Sequence, residues 1–262
     1  MISENLFLLI PDFSVILLAF IVILVDLSAP KRNDSTLVSI SVGGLTLVGL
    51  YIIIFGFNQT GYLYQNTLIV DQYSTSLKLL FVFLGIIAIF SSKNYMKLNL
   101  KNPGEFYSII LFTISGIMLL LSSNDLLTGF ICLELLSFGL YVLVGFDRFN
   151  PQSNEGSLKY ILLGALSSAI LIYGISNIYG LTGSTKFDVI QAFFLNAEKE
   201  FNLNSGIGVG LIIIGFAFKV AAVPFHMWAP DTYEGAPLPV TAYISIVSKL
   251  AIFSFLLRFA IV

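Results

Sequence analysis

Eight long apolar stretches constrain this sequence more than any other feature. A helix needs about 20 mostly apolar residues to cross the hydrocarbon core of a bilayer. In lipid, the backbone polar groups of such a segment are satisfied only in a helix or a closed barrel. The stretches, here called the first to eighth spans, run near residues 7–27, 36–57, 71–92, 105–122, 124–146, 155–180, 206–228 and 238–262.

The composition agrees with an all-α, polytopic membrane helix bundle of about eight transmembrane helices. Hydrophobic residues make up 57% of the chain and charged residues 11%, whereas a soluble domain carries about 25% charged residues. A barrel is disfavoured because the stretches are continuously apolar and too long for alternating strands of about ten residues. The short connections leave no extramembrane domain that could bind a soluble cofactor.

Scarce residue types exclude several further classes of function. The formal net charge of −2 gives no basic surface for nucleic acid. The single cysteine, Cys132, and the single histidine, His226, leave no cluster that could hold zinc, haem or an iron–sulfur group. We therefore expect no metal site in this chain.

Positive charges between the spans predict the orientation in the membrane. One side carries six of them and the other side two, and the positive-inside rule places the richer side in the cytoplasm or matrix. Both termini then lie on the outer side. The six are Lys31, Arg32, Lys93, Lys97, Lys101 and Arg148; the two are Lys186 and Lys199.

Charged residues inside the spans are the main functional signal. Glu134 lies near the middle of the fifth span, Lys219 in the seventh and Lys249 in the eighth. Each costs a few kcal/mol at the bilayer centre, so such a residue usually faces the protein interior and often marks an ion path. We expect Glu134 to be ionised and to lie within reach of a lysine from another helix, either Lys159 or Lys219, because an unpaired charge in lipid is costly. A purely structural ion pair is the alternative. Because buried lysines outnumber buried acids, at least one lysine should lack a fixed carboxylate, as a proton relay requires.

Other charged residues in the spans are more ambiguous. Lys159 lies one to two turns after Glu155, so it could equally reach the membrane surface. Lys78 and Arg258 are expected to reach the surface or to pack against partners. Asp12 and Asp26, near span ends, remain unassigned.

The segment from Lys219 to Asp231 predicts a break in the seventh span. Pro224 cannot donate a backbone hydrogen bond, and its ring disturbs the carbonyl of Val220. Irregular backbone at membrane depth is tolerated where it is buried or lines a watery cavity. Lys219 and His226 are two helical turns apart, so a continuous helix would place them on one face. An ordinary proline kink with a hydrogen-bonded histidine is the alternative.

The segment around this break resembles a known family. The run FKVAAVPFHMWAPDTYEGAPLPVTA, residues 218–242, is similar to the signature of the antiporter-like membrane subunits of respiratory complex I. Within them it most resembles the N-type branch, subunit 2 of NADH:ubiquinone oxidoreductase. The segments beginning at Leu133, Leu158 and Ile178 also match. The YEGAP block favours this branch over multisubunit cation/proton antiporters.

The resemblance implies a proton-pumping subunit without a redox centre of its own. The family's working residues correspond to Glu134, Lys159, Lys219, His226 and Lys249. The resemblance implies that NADH, FMN, iron–sulfur clusters and ubiquinone bind to other subunits of the enzyme. It also implies the mitochondrial inner membrane, with the N-terminus on the intermembrane-space side, or alternatively the bacterial plasma membrane.

The length of the chain departs from the family pattern. The family has fourteen helices, in which helices 4–8 and 9–13 form inverted repeats. We therefore expect an N-terminal three-helix part, residues 1–102, and one five-helix repeat, residues 103–262. Either a separate chain supplies helices 9–14, beside other membrane-arm subunits and lipid, or the sequence is a truncated product. The alternatives to a pumping subunit are a structural scaffold and a subunit of a cation/proton antiporter.

Overall fold

A computed structural model describes residues 6–28, 34–100, 102–196 and 203–261 of the chain. Within these ranges the protein is a polytopic all-α membrane bundle, as the apolar stretches predict. Seven of the described helical segments are long and apolar enough to cross a membrane, and an eighth apolar segment, Ser205–Lys219, is shorter. The seventh span is therefore shorter than expected.

Three helices and a small hairpin form the N-terminal part. Helix α1 spans Ile10–Ser28 after a short turn at Leu6–Leu9, and α2 spans Asp34–Phe55. Strands β1 (Gly61–Leu63) and β2 (Leu68–Val70) pair antiparallel before α3, Gln72–Asn99. Asp71 caps α3 by accepting a hydrogen bond from the backbone of Ser74, which satisfies one free N–H of the first turn.

The second part contains the remaining helices. They are α4 (Pro103–Ser122), α5 (Leu126–Val144), α6 (Pro151–Thr182), α7 (Phe187–Asn196), α8 (Leu203–Lys219), α9 (Ala229–Gly235), α10 (Leu238–Tyr243) and α11 (Lys249–Ile261). A π-helical turn at Ile244–Ser248 joins α10 to α11. The fifth, sixth and seventh spans thus correspond to α5, α6 and α8, and the eighth to α10 and α11 together.

One hydrophobic core joins the two parts. Helix α4 packs against α1 and α3 as well as against α5 and α11, and buried side chains from all of these helices belong to the same cluster. The division at residue 102 remains a prediction from the family pattern, because α4 lies within this shared core.

Three connections meet at one end of the bundle. Asn124 donates a backbone hydrogen bond of 2.8 Å to Thr67 in the hairpin, and Leu126 donates one of 2.9 Å to Thr185. The connections after α2, α4 and α6 therefore share one end, as alternating spans require. The side of the membrane that this end faces stays a prediction. Four of the positively charged residues on which that prediction depends lie outside the described residues: Lys31, Arg32, Lys101 and Lys199.

Helix α6 supports the shortened seventh span along its length. It packs closely against α8, where a Cβ atom added at Gly174 would lie 2.9 Å from the backbone nitrogen of Ile212. Glycine is therefore required at this position if α8 is to keep its distance from α6. The contact fixes the position of α8, whose last residue is Lys219.

Candidate functional site

Two of the predicted residues meet in the interior. The Lys219 ammonium at the end of α8 donates hydrogen bonds of 3.1 Å to Oε1 of Glu134 and 3.1 Å to the Ser137 hydroxyl, both on α5. The Lys219 side chain is 5% exposed and that of Glu134 is 18% exposed. A buried lysine is stable as a cation only with such a partner, and the prediction that Glu134 lies within reach of a lysine from another helix is confirmed.

Hydroxyl groups complete the surroundings of this pair. The Ser168 hydroxyl on α6 donates a hydrogen bond of 2.7 Å to Oε1 of Glu134. Ser137 lies three residues after Glu134, so both side chains project from the same face of α5. These serines were not among the residues predicted from the sequence, although the spacing of Ser137 from Glu134 was a usable signal.

The end of α8 is set by a left-handed residue. Ala221 has a φ of +58°, its N–H bonds to the carbonyl of Phe218, and the N–H of Ala222 bonds to the carbonyl of Ala217. This pair of bonds is the Schellman arrangement, which satisfies the last carbonyls of a helix and usually places glycine at the left-handed position. The Trp228 indole N–H adds a bond of 2.9 Å to the Phe218 carbonyl.

This geometry corrects the predicted role of Pro224. The seventh span is broken, as expected, but the helix ends at Lys219, before the proline and before Val220, whose carbonyl the proline was expected to disturb. The left-handed backbone at Ala221 ends the helix, and Pro224 lies within the irregular segment that follows. Pro224 therefore prevents the helix from resuming rather than ending it.

The same break overturns the expected shared face of Lys219 and His226. Because no helix connects them, the interval of seven residues does not align their side chains. His226 lies partly buried in the irregular segment, and its Nδ1 atom is buried without a hydrogen-bond partner among the described residues. The described residues therefore do not form the alternative, which was an ordinary proline kink with a hydrogen-bonded histidine.

Lys159 contacts carboxylates other than Glu134. Its ammonium pairs with Glu155 one turn earlier at 2.7 Å and with Asp231 on α9, and its side chain is 42% exposed. Helix α9 approaches α6 closely here, since a Cβ atom added at Gly156 would lie 2.9 Å from the carbonyl oxygen of Asp231. The described structure thus joins Lys159 to the segment after the break and not to the buried pair.

Lys249 lies beside an aromatic ring. It directly follows the π-helical turn, and its ammonium stands over the ring of Tyr233 on α9 at 5.5 Å from the centroid. Such turns are frequent at functional sites, and the ring face attracts a cation. Among the described residues, no carboxylate forms an ion pair with Lys249.

A column of aromatic rings connects these groups. Tyr141 on α5 packs edge-on against Tyr160 on α6, with ring centroids 4.7 Å apart. Tyr160 stacks on Trp228 at 4.5 Å, and Trp228 contacts Tyr233, whose ring bears Lys249. The column runs from the helix that carries Glu134, past the break, to Lys249. Sequence patterns did not reveal it, because its members come from three separate segments of the chain.

Two further ion pairs were missed from the sequence. Lys78 on α3 donates a hydrogen bond of 2.8 Å to Asp12 on α1, and both side chains are buried. Arg258 on α11 donates hydrogen bonds of 2.8 Å and 3.1 Å to Asp71. Lys78 and Arg258 were expected to reach the membrane surface or to contact partners. Instead each pairs within the chain, which removes the cost of an unpaired charge.

The side chains of the site are of the types that exchange protons. Within the described ranges, no three side chains of the metal-ligating types lie close enough to hold an ion. A buried lysine with one carboxylate and hydroxyl neighbours has the groups that proton exchange needs. The chemistry open to this geometry is therefore movement of protons between protonatable side chains.

The chain is similar in sequence to known membrane proteins. Residues 123–262 match the family model described as NADH:quinone oxidoreductase/Mrp antiporter, TM. The chain is 38% identical over 258 residues to NADH-quinone oxidoreductase subunit N of Trichlorobacter lovleyi, and 39% identical over 257 residues to that of Pelagibacter ubique. The name subunit N agrees with the N-type branch expected from the sequence, whereas neither relative is named subunit 2.

A solved structure of the same kind has a similar fold. A chain of respiratory complex I from Thermus thermophilus with bound aureothin is 28% identical, with a TM-score of 0.77 over 95% of this chain. The alignment with each of the two relatives covers 98% of this chain but only 53% of the relative. The match to the solved chain likewise covers 53% of that chain. This sequence thus spans about half the length of the proteins it matches. It belongs to the NADH:quinone oxidoreductase/Mrp antiporter transmembrane family.

Proposed function

We propose that this chain is a proton-translocating part of the membrane arm of an NADH-quinone oxidoreductase. Protons would move through side chains within the bundle, and the driving energy would come from quinone reduction elsewhere in the assembly. The chain would have no catalytic centre of its own. NADH, FMN, iron–sulfur clusters and quinone would be bound by other subunits.

The observation that carries this proposal is the buried contact between Lys219 and Glu134 beside a helix break. Burial disfavours the ammonium, and the neighbouring carboxylate favours it. Whether Lys219 keeps its proton therefore depends on the position of Glu134. Because Lys219 is the last residue of α8 and α5 carries Glu134, a shift of one helix against the other would change that balance.

The other predicted residues have different places in the relay. Lys249 is the next lysine along the chain after the break, and the aromatic column joins its surroundings to those of Glu134. His226, with its unpartnered Nδ1, would pass protons between Lys219 and Lys249 through water. Lys159 would act on the segment after the break through Asp231, rather than directly on Lys219.

The last helix offers a surface for further membrane-arm helices. Its exposed apolar residues recur on one face, with Lys249 beside them: Ile246, Leu250, Phe253 and Leu257. We propose that this face packs against helices that continue the proton path, on a separate chain as the sequence analysis expected or on the same polypeptide. Crosslinking from Phe253→Cys in the assembled complex would identify the neighbour.

We propose the bacterial plasma membrane as the cellular location. The two relatives named above are bacterial, which supports this location over the mitochondrial inner membrane that was expected first. The outward position of the N-terminus remains part of the proposal, since it depends on the distribution of positive charges.

Replacement of Lys219 tests the function. In vesicles that contain the assembled complex, Lys219→Ala should abolish or strongly reduce NADH-driven proton movement per electron while quinone reduction continues. The matched control is Lys97→Ala, because Lys97 is exposed in the last turn of α3. A normal proton-to-electron ratio in the assembled Lys219 variant would favour a structural scaffold instead.

A cation/proton antiporter is the second candidate, because the family model covers Mrp antiporters as well. Exchange of sodium or potassium for protons in these vesicles without NADH would support it. The resemblance of the YEGAP block, which includes Tyr233 and Glu234, argues for the oxidoreductase branch.

A further inference from the structure

A second buried lysine–carboxylate pair lies outside the relay described above. The Lys78 ammonium on α3 and Oδ2 of Asp12 on α1 are 2.8 Å apart, and the two side chains are 3% and 1% exposed. The other carboxylate oxygen of Asp12, Oδ1, is buried and has no hydrogen-bond partner among the described residues. An intramembrane ionisable pair is a functional candidate because it is costly to keep.

The pair between Asp71 and Arg258 shows what a structural contact looks like in the same protein. Oδ1 of Asp71 accepts bonds from the Ser74 backbone and from Arg258, and Oδ2 accepts a second bond from Arg258. Both oxygens are thus satisfied, and a guanidinium does not release its proton in proteins. This pair can hold α11 against the start of α3, but it cannot exchange protons.

The Asp12–Lys78 pair differs from that contact in both respects. One of its carboxylate oxygens has no hydrogen-bond partner in the part of the chain that the structure describes, and its cation is a lysine, which can give up a proton when it is buried. It shares the second property with the pair of Glu134 and Lys219, in which one lysine likewise meets one carboxylate across two helices. Arg258 also has one buried atom, Nε, without a hydrogen-bond partner among the described residues, so the exchangeable proton of the lysine is the main difference between the two pairs.

We propose that Asp12 and Lys78 form a second proton-exchanging pair of this protein, in the N-terminal helices. The inference rests on the proposed function. In the exchange, an N–H bond of Lys78 breaks and an O–H bond forms on Oδ2 of Asp12, which leaves a neutral amine and a neutral carboxylic acid. No electron transfer is involved. The apolar surroundings favour the neutral forms, so the pair can cycle between ionic and neutral states.

The decisive variant is Lys78→Arg in the assembled complex in vesicles. Arginine keeps the positive charge and can keep the contact with Asp12, but it cannot donate the proton. We expect NADH-driven proton movement per electron to be lost or reduced while quinone reduction continues. The double variant Asp12→Asn/Lys78→Met leaves no unpaired charge, and replacing a buried pair in this way is often tolerated. It should show the same loss.

The matched control is the double variant Asp71→Asn/Arg258→Met, which should lower stability but leave the proton-to-electron ratio unchanged. A normal ratio in Lys78→Arg or in the Asp12/Lys78 double variant would overturn the inference. Failure of both to assemble would also overturn it, because the pair would then be a structural lock.

Measuring Lys219→Ala and Lys78→Arg in the same vesicles distinguishes a failure of this inference from a failure of the proposed function. If Lys219→Ala pumps normally, the proposed function fails whatever Lys78→Arg does. If Lys219→Ala loses pumping and Lys78→Arg does not, only the second pair is wrong.

Discussion

Removing the charge of Glu134 should expose how strongly the buried pair depends on it. Glutamine has nearly the same shape, so Glu134→Gln can still accept hydrogen bonds from Lys219 and Ser168. At the observed separation of 3.1 Å and an effective dielectric constant of about 20, the lost Coulomb attraction is about 5 kcal/mol. Breaking a buried pair by removing one partner costs about 3–5 kcal/mol, in agreement with this value.

A double-mutant cycle measures this energy. The free energy of unfolding of the purified protein in detergent micelles would be compared for Glu134→Gln, Lys219→Met and the double variant. Each single change leaves a buried charge or its partner unsatisfied, and the double change removes both. We expect an interaction energy of at least about 3 kcal/mol, with the double variant more stable than either single variant.

Proton movement is the second measurement on these variants. Glu134→Gln should lower the proton-to-electron ratio, and the double variant should regain stability without regaining pumping. An interaction energy below about 1 kcal/mol, the value typical of exposed pairs, would refute the electrostatic reasoning. Normal pumping by the double variant would refute the role of the pair.

Three further predictions follow from single features of the structure. Ala221→Gly should raise the free energy of unfolding by about 1 kcal/mol, because a φ of +58° strains a non-glycine residue; no gain in denaturant unfolding would contradict this. Tyr233→Leu should lower proton movement while Tyr233→Phe keeps it, since the ring face contacts Lys249; equal effects of the two variants would refute it. Burial raises the pKa of Asp71, but bonds from Arg258 and Ser74 outweigh it and hold that pKa below its ordinary value of 3.8. The resulting stability should be complete above pH 3.8 and be lost as the pH falls through the lower folded-state pKa, and Arg258→Met should remove this dependence in thermal unfolding scans.

The helices could be predicted well because lipid leaves the backbone few choices. The expected fourth span, 105–122, corresponds to Pro103–Ser122 in the structure, and the fifth, 124–146, to Leu126–Val144. The hairpin at Gly61–Leu63 and Leu68–Val70 was not predicted. Strands of three residues carry too little alternation to be distinguished from a loop.

The site was predicted in part. The cost of an unpaired charge was enough to expect a partner for Glu134, and the structure supplies Lys219. The position of the break was not predictable, since an alanine gives no sign of a positive φ, whereas Pro224 was an obvious but indirect signal. The pair of Asp12 and Lys78 depends on residues 66 positions apart, which only tertiary packing brings together.

The close packing of α6 has a mechanical consequence for the broken span. Near Gly174 helix α6 touches α8, and near Gly156 it touches α9, so it serves as a splint across the gap in the covalent helix. The Trp228 indole, which donates a hydrogen bond to the carbonyl of Phe218, adds a second link across the gap. Any displacement of α8 that separates Lys219 from Glu134 would therefore disturb both the contact at Gly174 and this bond. The two pieces of the broken span are thus held in place by α6 and by one indole rather than by a continuous ladder of backbone hydrogen bonds.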